Sequence, residues 1–147
     1  MLEREGISFQ LHEYSADDGG IDAPAVAAKL GVSSDRLFKT LIARTDEGRV
    51  VVYCVPGGSE LDLKKAARCA GAKSIALVAV RELKGLTGYE RGGCSPVGMK
   101  SDFEIWIDET ASLHERIVVS GGAIGLQIEL APDDLIRAVG ARPADLV

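Results

Sequence analysis

The segment RLFKTLIAR, residues 36–44, has the alternating pattern of a β-strand bound for a protein interior. Alternation places Leu37, Lys39, Leu41 and Ala43 on one face, and Phe38, Thr40, Ile42 and Arg44 on the other. Lys39 therefore shares a face with three apolar side chains, although lysine is almost never fully buried unless its charge is paired. Either this face opens onto a cavity, or the lysine reaches outward past the end of the strand.

A hairpin and several further strands follow from the same kind of pattern. The run RVVVYCVP at 49–56 is separated from FKTLIART (38–45) by DEG, and Gly48 is available for the turn between the two strands. Further strands are predicted at ISFQLHEY (7–14), SIALVAV (74–80), DFEIWIDE (102–109), RIVVSGG (116–122) and GLQIEL (125–130). Helices are predicted at APAVAAKLG (23–31), ELDLKKAARCAG (60–71) and APDDLIRAVG (131–140), with a helical turn at VRELKGL (80–86). Because helices do not separate every pair of strands, we predict an α+β fold with a curved mixed or antiparallel, barrel-like sheet and flanking helices.

Composition limits the possible classes of protein. A chain of 147 residues with 46% hydrophobic and 27% charged residues predicts a single domain over 1–147 with a substantial core. The net charge of -5 argues against coating nucleic acid or membrane by bulk electrostatics. No run of about 18 apolar residues occurs, and acidic residues occupy the place of a signal-peptide core, so we expect a cytoplasmic protein without a membrane partner.

The cysteines and histidines predict no metal site. Three cysteines without short paired spacing and two distant histidines do not form a ligand pattern. Cys94, between glycines and a proline in GGCSPVG, is expected to be exposed, but neither histidine can be placed beside it as a base. We therefore interpret Cys94 as a loop residue without a catalytic role.

Two glycine-rich segments are the best candidates for chemistry, ERGGCSPVGMKSD (90–102) and VSGGAIGLQIE (119–129). Neither has the spacing of a phosphate loop or a dinucleotide fingerprint, so no nucleotide cofactor is predicted. Such loops can present backbone N–H groups to an oxyanion or a carbonyl oxygen. They can also simply serve turns, which is the commoner use of glycine.

Four ordered motifs, LFKTL, ELDLKKAARCAGAK, LTGYERGGCSPVG and VSGGAIGLQIEL, resemble the YbaK family of freestanding aminoacyl-tRNA editing proteins. The resemblance extends from ISFQLHEY nearly to the C-terminus and is closest to the Cys-tRNA(Pro) deacylase branch. Thr40 after the lysine favours that branch, because the Ala-tRNA(Pro) deacylases typically have Asn there.

The resemblance implies a hydrolytic proofreader that cleaves the ester between a wrong amino acid and the 3′-terminal ribose of tRNA. The implied substrate is Cys-tRNA(Pro), with Cys-tRNA(Cys) as a second one, and prolyl-tRNA synthetase is an implied partner. Lys39 would meet the terminal phosphate or the ester, and the backbone at Gly92 and Gly93 would polarise the scissile carbonyl. The implied substrate-binding residues are Tyr14, Thr40, Ser95, Pro96, Ser120 and Gln127.

The chain departs from the family pattern at three places. Cys94 replaces a usual aliphatic residue, Gln127 stands where close relatives have Asp, and the helix usual before ISF is nearly absent, which suggests a truncated N-terminus.

The sequence contains no assembled Ser-His-Asp or Cys-His constellation, so the protein supplies no obvious nucleophile. The thiol of the cysteinyl substrate or a water molecule could attack the ester. A deacylase for Ala-tRNA(Pro) or another small amino acid, and a binding module without catalysis, are the alternative functions.

Overall fold

The computed structural model describes residues 2, 5–100 and 102–147, which form eight strands, four α-helices and a short 3-10 helix at Glu109–Leu113. The strands are β1 (Phe9–Glu13), β2 (Phe38–Thr45), β3 (Val50–Pro56), β4 (Ile75–Leu77), β5 (Glu104–Asp108), β6 (Ile117–Ser120), β7 (Leu126–Leu130) and β8 (Arg142–Ala144). The helices are α1 (Ala23–Leu30), α2 (Leu63–Ala70), α3 (Val80–Thr87) and α4 (Pro132–Val139). None of the helices in these described ranges is long and apolar enough to cross a membrane.

The strands form two sheets. A five-stranded sheet has the order β4-β2-β3-β5-β8, with antiparallel pairs around β2 and parallel pairs on both sides of β5. A three-stranded antiparallel sheet has the order β1-β7-β6. A parallel bridge between Leu37 and Val118 joins them. The predicted α+β class with a mixed sheet is confirmed, although the strands do not close into a barrel.

The predicted hairpin and the alternation of β2 are confirmed. β2 and β3 pair antiparallel from Phe38↔Pro56 to Arg44↔Val50. Phe38 and Ile42 pack into the largest apolar cluster, whereas Leu41 and Ala43 pack on the other face, in a cluster that contains the small residues of α2. β2 is therefore packed against apolar side chains on both faces.

The helix ends follow their local signals. Asp22 caps α1 by accepting a hydrogen bond from the Ala25 amide at 2.8 Å, and Asp62 caps α2 in the same way. Both helices end at a glycine with positive φ, Gly31 and Gly71. The predicted helical turn after residue 80 is a full eight-residue helix, α3, which leaves only Ile75–Leu77 of the predicted 74–80 strand.

Candidate functional site

A cavity of about 770 Å³ lies where β2 separates from β6. The strands are bridged at Leu37 and Val118, and β4 joins the other end of this edge of β2 at residues 42–45. Between these points the edge of β2 faces the cavity, which is of a size typical for small-ligand sites. Its lining comes mainly from β2, the start of α1, the 77–83 region and the two glycine-rich loops: Gly19, Ile21, Asp22, Ala23, Pro24, Val26, Leu37, Phe38, Lys39, Thr40, Leu41, Ile42, Gly57, Leu77, Val78, Val80, Leu83, Arg91, Gly92, Cys94, Ser120 and Gln127.

No described strand pairs with Thr40 on the side of β2 away from β3. The carbonyl of Ile42 accepts a hydrogen bond from the Val78 amide at 3.0 Å, on the side away from β3. Because backbone groups alternate along an antiparallel strand, the N–H and C=O of Thr40 point to that same side. There they face the cavity, and the described part of the chain places no strand beside them.

Lys39 lines the cavity and is half-buried. Within the described residues its ammonium group makes no hydrogen bond or ion pair, in contrast to those of Lys29 and Lys65, which bind carboxylates. The question that the sequence raised is therefore answered: the apolar face of β2 opens onto a cavity at this lysine. Its ammonium group is available to an anionic or carbonyl-bearing ligand.

The charges around the cavity favour an anion. Its lining includes two cations, Lys39 and Arg91, and one carboxylate, Asp22, in a protein whose overall charge is -5. The oxygen of Asp22 already accepts the capping hydrogen bond of α1. A ligand with a phosphate or a polarised carbonyl therefore meets a locally positive surface.

The first glycine of the GGCSP loop lines the cavity. Gly92 has a φ of 86°, and its amide donates to no acceptor among the described residues. The amide of Gly93 instead donates to the Glu90 carbonyl at 2.9 Å. A Cβ added at Gly93 would lie 3.1–3.2 Å from the backbone of Ala123 and Ile124, so this glycine lets the two glycine-rich loops touch. The free backbone donor of the pair is therefore Gly92.

Cys94 is half-buried, whereas the sequence suggested exposure. Burial raises the pKa of its thiol to about 11, and a contact with Thr87 lowers it only partly. A thiol with this pKa is protonated near neutral pH and is a poor nucleophile. Neither histidine lines the cavity, which agrees with the interpretation of Cys94 as a loop residue without a base.

Ser120 and Gln127 form a polar part of the cavity wall. They are paired residues of β6 and β7 and both are buried. The Ser120 hydroxyl accepts a hydrogen bond from the Gly122 amide at 3.2 Å. Gln127 is only 4% exposed, and its Oε1 has no partner within the described part of the chain. An unpaired buried amide is costly, so a ligand that hydrogen-bonds it would recover part of that cost.

Four predicted site residues lie outside the cavity lining: Gly93, whose contacts are given above, and three others. Tyr14 packs against the apolar cluster between α1 and the bridge residues, with its hydroxyl buried. Ser95 is buried, and its hydroxyl accepts a hydrogen bond from the Val97 amide at 3.2 Å. Pro96 borders a separate pocket of about 350 Å³. The structure thus brings Lys39, Thr40, Gly92, Ser120 and Gln127 together, and it leaves these three and Gly93 around them.

Sequence reasoning missed one wall of the cavity. Gly19, Ile21 and Asp22 precede α1, and Leu77, Val80 and Arg91 come from the segments around α3. The exposure of Leu77 and Val80 at the cavity, 52% and 56%, is visible only in the folded chain. No sequence pattern pointed to the segment DDGGID (17–22) as part of a site.

Comparisons with known proteins agree on one family. A family model for the aminoacyl-tRNA editing domain matches residues 19–138. The chain is 37% identical over 146 residues to a protein of Enterococcus faecalis named "Putative Cys-tRNA(Pro)/Cys-tRNA(Cys) deacylase EbsC", which covers 99% of this chain and 89% of that protein. It is 31% identical over 87 residues to proline–tRNA ligase 1 of Bacillus thuringiensis, or 59% of this chain and 15% of the ligase.

A solved structure described as a "putative trans-editing enzyme for prolyl tRNA synthetase" has the same fold. It superposes with a TM-score of 0.87 and 27% identity, covering 99% of this chain and 90% of that one. The resemblance first seen in the four sequence motifs is therefore confirmed along nearly the whole chain.

Proposed function

Because the chain belongs to the aminoacyl-tRNA editing domain family and is an aminoacyl-tRNA deacylase, we propose that its substrate is Cys-tRNA(Pro), with Cys-tRNA(Cys) as a second substrate. It would act in trans in the cytoplasm on tRNA that has been charged with the wrong amino acid. The similarity to part of a proline–tRNA ligase supports prolyl-tRNA synthetase as a functional partner.

One observation carries the proposal: the same cavity is lined by an ammonium group, Lys39, and a backbone donor, Gly92, and neither has a partner among the described residues. The ester of a charged tRNA has a carbonyl oxygen that becomes negative during cleavage, and a phosphate lies one ribose away. Lys39 binds the phosphate or the ester, and the Gly92 amide donates to the developing oxyanion. Removing one such donor typically costs about 100- to 1000-fold in rate.

The residues around the cavity favour attack by the substrate itself. Cys94 is the thiol of the lining, and its raised pKa keeps it protonated near neutral pH. We propose that the thiol sulfur of the cysteinyl group attacks its own ester carbonyl. A C–S bond forms, the ester C–O bond breaks, and the proton of the thiol goes to the departing ribose oxygen. The protein then contributes by positioning the ester and stabilising its charge.

Gln127 and Ser120 would bind the polar groups of the aminoacyl moiety at the buried wall. Thr40 would contribute its free backbone N–H and C=O from the strand edge. Tyr14, Gly93, Ser95 and Pro96 would act from outside the cavity, by holding the elements that line it.

The direct test is turnover of Cys-, Ala- and Ser-charged tRNA(Pro) by the wild-type chain and by Lys39→Met. We expect Cys-tRNA(Pro) to be cleaved fastest, and the variant to lose at least about 100-fold in kcat/KM. Thermal unfolding should change little, because Lys39 has no described partner that its removal would leave unpaired.

The matched control is Lys64→Met, which removes an exposed lysine of α2 that does not line the cavity. It should cleave at the wild-type rate. A folded Lys39→Met protein with full activity would remove the lysine from the site, and a wild-type chain that cleaves none of the three substrates would refute the proposed function.

A further inference from the structure

The side chain of Lys29 on α1 is surrounded by one loop. Its Nζ donates hydrogen bonds to the carbonyl of Ser15 at 2.6 Å, to Oδ1 of Asp18 at 2.7 Å and to the carbonyl of Gly20 at 2.9 Å. It also lies 5.7 Å from the centre of the Tyr14 ring. Only 23% of the side chain is exposed. The ammonium group is therefore held by residues 15–21, which we name the 15–21 loop.

The loop has no other polar anchor in the described structure. Its remaining hydrogen bonds join its own residues: Asp17 N–H to the Ser15 hydroxyl, Gly19 N–H to the Ala16 carbonyl, Ile21 N–H to the Gly19 carbonyl, and Gly20 N–H to Asp18. The Lys29 hydrogen bond holds the pKa of Asp18 below its usual value, which agrees with a formed ion pair. An exposed ion pair alone contributes little, but here the same ammonium also binds two loop carbonyls.

The loop forms one wall of the cavity. Gly19 and Ile21 line it directly. Ile21 also packs against the glycine loop, because a Cβ placed on Gly92 would be 3.0 Å from Cδ1 of Ile21. The position of the loop therefore sets the space beside Gly92, where the aminoacyl group is expected.

We propose that Lys29 is a positioning residue that holds the 15–21 loop in place and thereby limits the size of the aminoacyl side chain that the site accepts. This inference rests on the proposed function of the cavity. Lys29 itself touches no substrate; it acts through Ile21 and Gly19. Without it, the loop can move outward and a longer side chain can enter.

The test uses two stable probes, 3′-amino-3′-deoxyadenosine carrying cysteine or methionine through an amide bond. Both contain sulfur, but the methionyl side chain is longer. Wild type should prefer the cysteinyl probe, and Lys29→Met should reduce that preference about 10-fold, the effect typical of one or two methylene groups in a pocket. Lys29→Arg, which keeps the charge and several donors, should restore most of the preference, and Lys64→Met should leave it unchanged.

Hydrogen exchange gives a second readout that needs no ligand. The amides of Gly20 and Ile21 should exchange faster in Lys29→Met, while the β2–β3 amides should exchange as in wild type. Unchanged exchange in the loop would refute the anchoring role, and faster exchange with an unchanged probe preference would refute the limit on size. Because neither readout needs cleavage, both are separate from the turnover assay on Cys-tRNA(Pro) that decides the proposed function.

Discussion

Gly92→Ala is expected to abolish most of the activity while leaving the protein folded. Gly92 has a φ of 86°, a region in which a residue with a Cβ is strained by roughly 1–2 kcal/mol. The added Cβ would also lie 3.0 Å from Cδ1 of Ile21 and 3.5 Å from Cγ1 of Ile124. Only the first contact is tight, and it involves the end of a side chain, so backbone strain is the larger cost. A cost of about 1–2 kcal/mol lowers the Tm of a chain of this length by roughly 2–8 °C.

The activity should fall much further than this stability loss explains. Relief of the strain rotates the peptide group before Gly92 and moves its N–H away from the oxyanion, for which a loss of about 100- to 1000-fold in kcat is typical. Single-turnover cleavage of Cys-tRNA(Pro) and thermal unfolding measure the two effects separately.

The matched control for that prediction is Gly88→Ala. Gly88 has a nearly equal φ of 84°, its added Cβ would meet only Cβ of Lys100 at 3.7 Å, and it does not line the cavity. It should lose similar stability and keep its activity. Wild-type kcat for Gly92→Ala, or an equal loss in both variants, would show that the Gly92 amide is not an oxyanion donor.

Three further predictions concern the groups around the ester. Cys94→Ser should keep most of the activity. Alkylation of Cys94 should become faster as the pH rises to about 11, because the raised pKa of the thiol means that the thiolate forms only there. An alkylation rate that levels off near pH 8, or an inactive folded variant, would restore Cys94 as a nucleophile. S-methylation of the cysteinyl group should nearly abolish cleavage while binding persists, and rapid cleavage of that substrate would identify water as the attacking group. Gln127→Leu should keep or raise the free energy of unfolding, by up to about 1 kcal/mol, and should lower kcat/KM. A less stable protein with unchanged activity would mean that the amide serves the core.

Local patterns in the sequence predicted most of the fold. The β2–β3 hairpin and the helices with an aspartate before them and a glycine after them are encoded in short segments, whose hydrogen bonds close within a few residues. The strand β8 was not predicted, because it is three residues long and contains Pro143. Its position is set by parallel pairing with β5, more than thirty residues away in the chain. Pairing of that kind leaves no period in the sequence.

The cavity could be predicted only in part, for a related physical reason. The contradiction at Lys39, a charge on an apolar face, is local and can be read directly, and the cavity resolves it. The wall formed by Gly19 and Ile21 belongs instead to a loop that is hydrogen-bonded to the Lys29 side chain, nine to fourteen residues further along the chain. A lysine on a short helix is normally a solvated surface residue, so nothing in the sequence distinguishes Lys29 from Lys64.

The GGCSP loop shows how one motif combines chemistry with packing. Gly92 lines the cavity with an amide that has no acceptor among the described residues, whereas the Gly93 amide donates to Glu90 and its lack of a side chain lets the neighbouring loop approach. Ser95 and its hydroxyl close a turn onto Val97, and this turn holds the loop at its far end. If the loop were only a set of donors, any of these residues would be equally sensitive to substitution. Because the donor and the supports are different residues, changes at Gly92 should alter the rate, and changes at Gly93 or Ser95 should first alter stability.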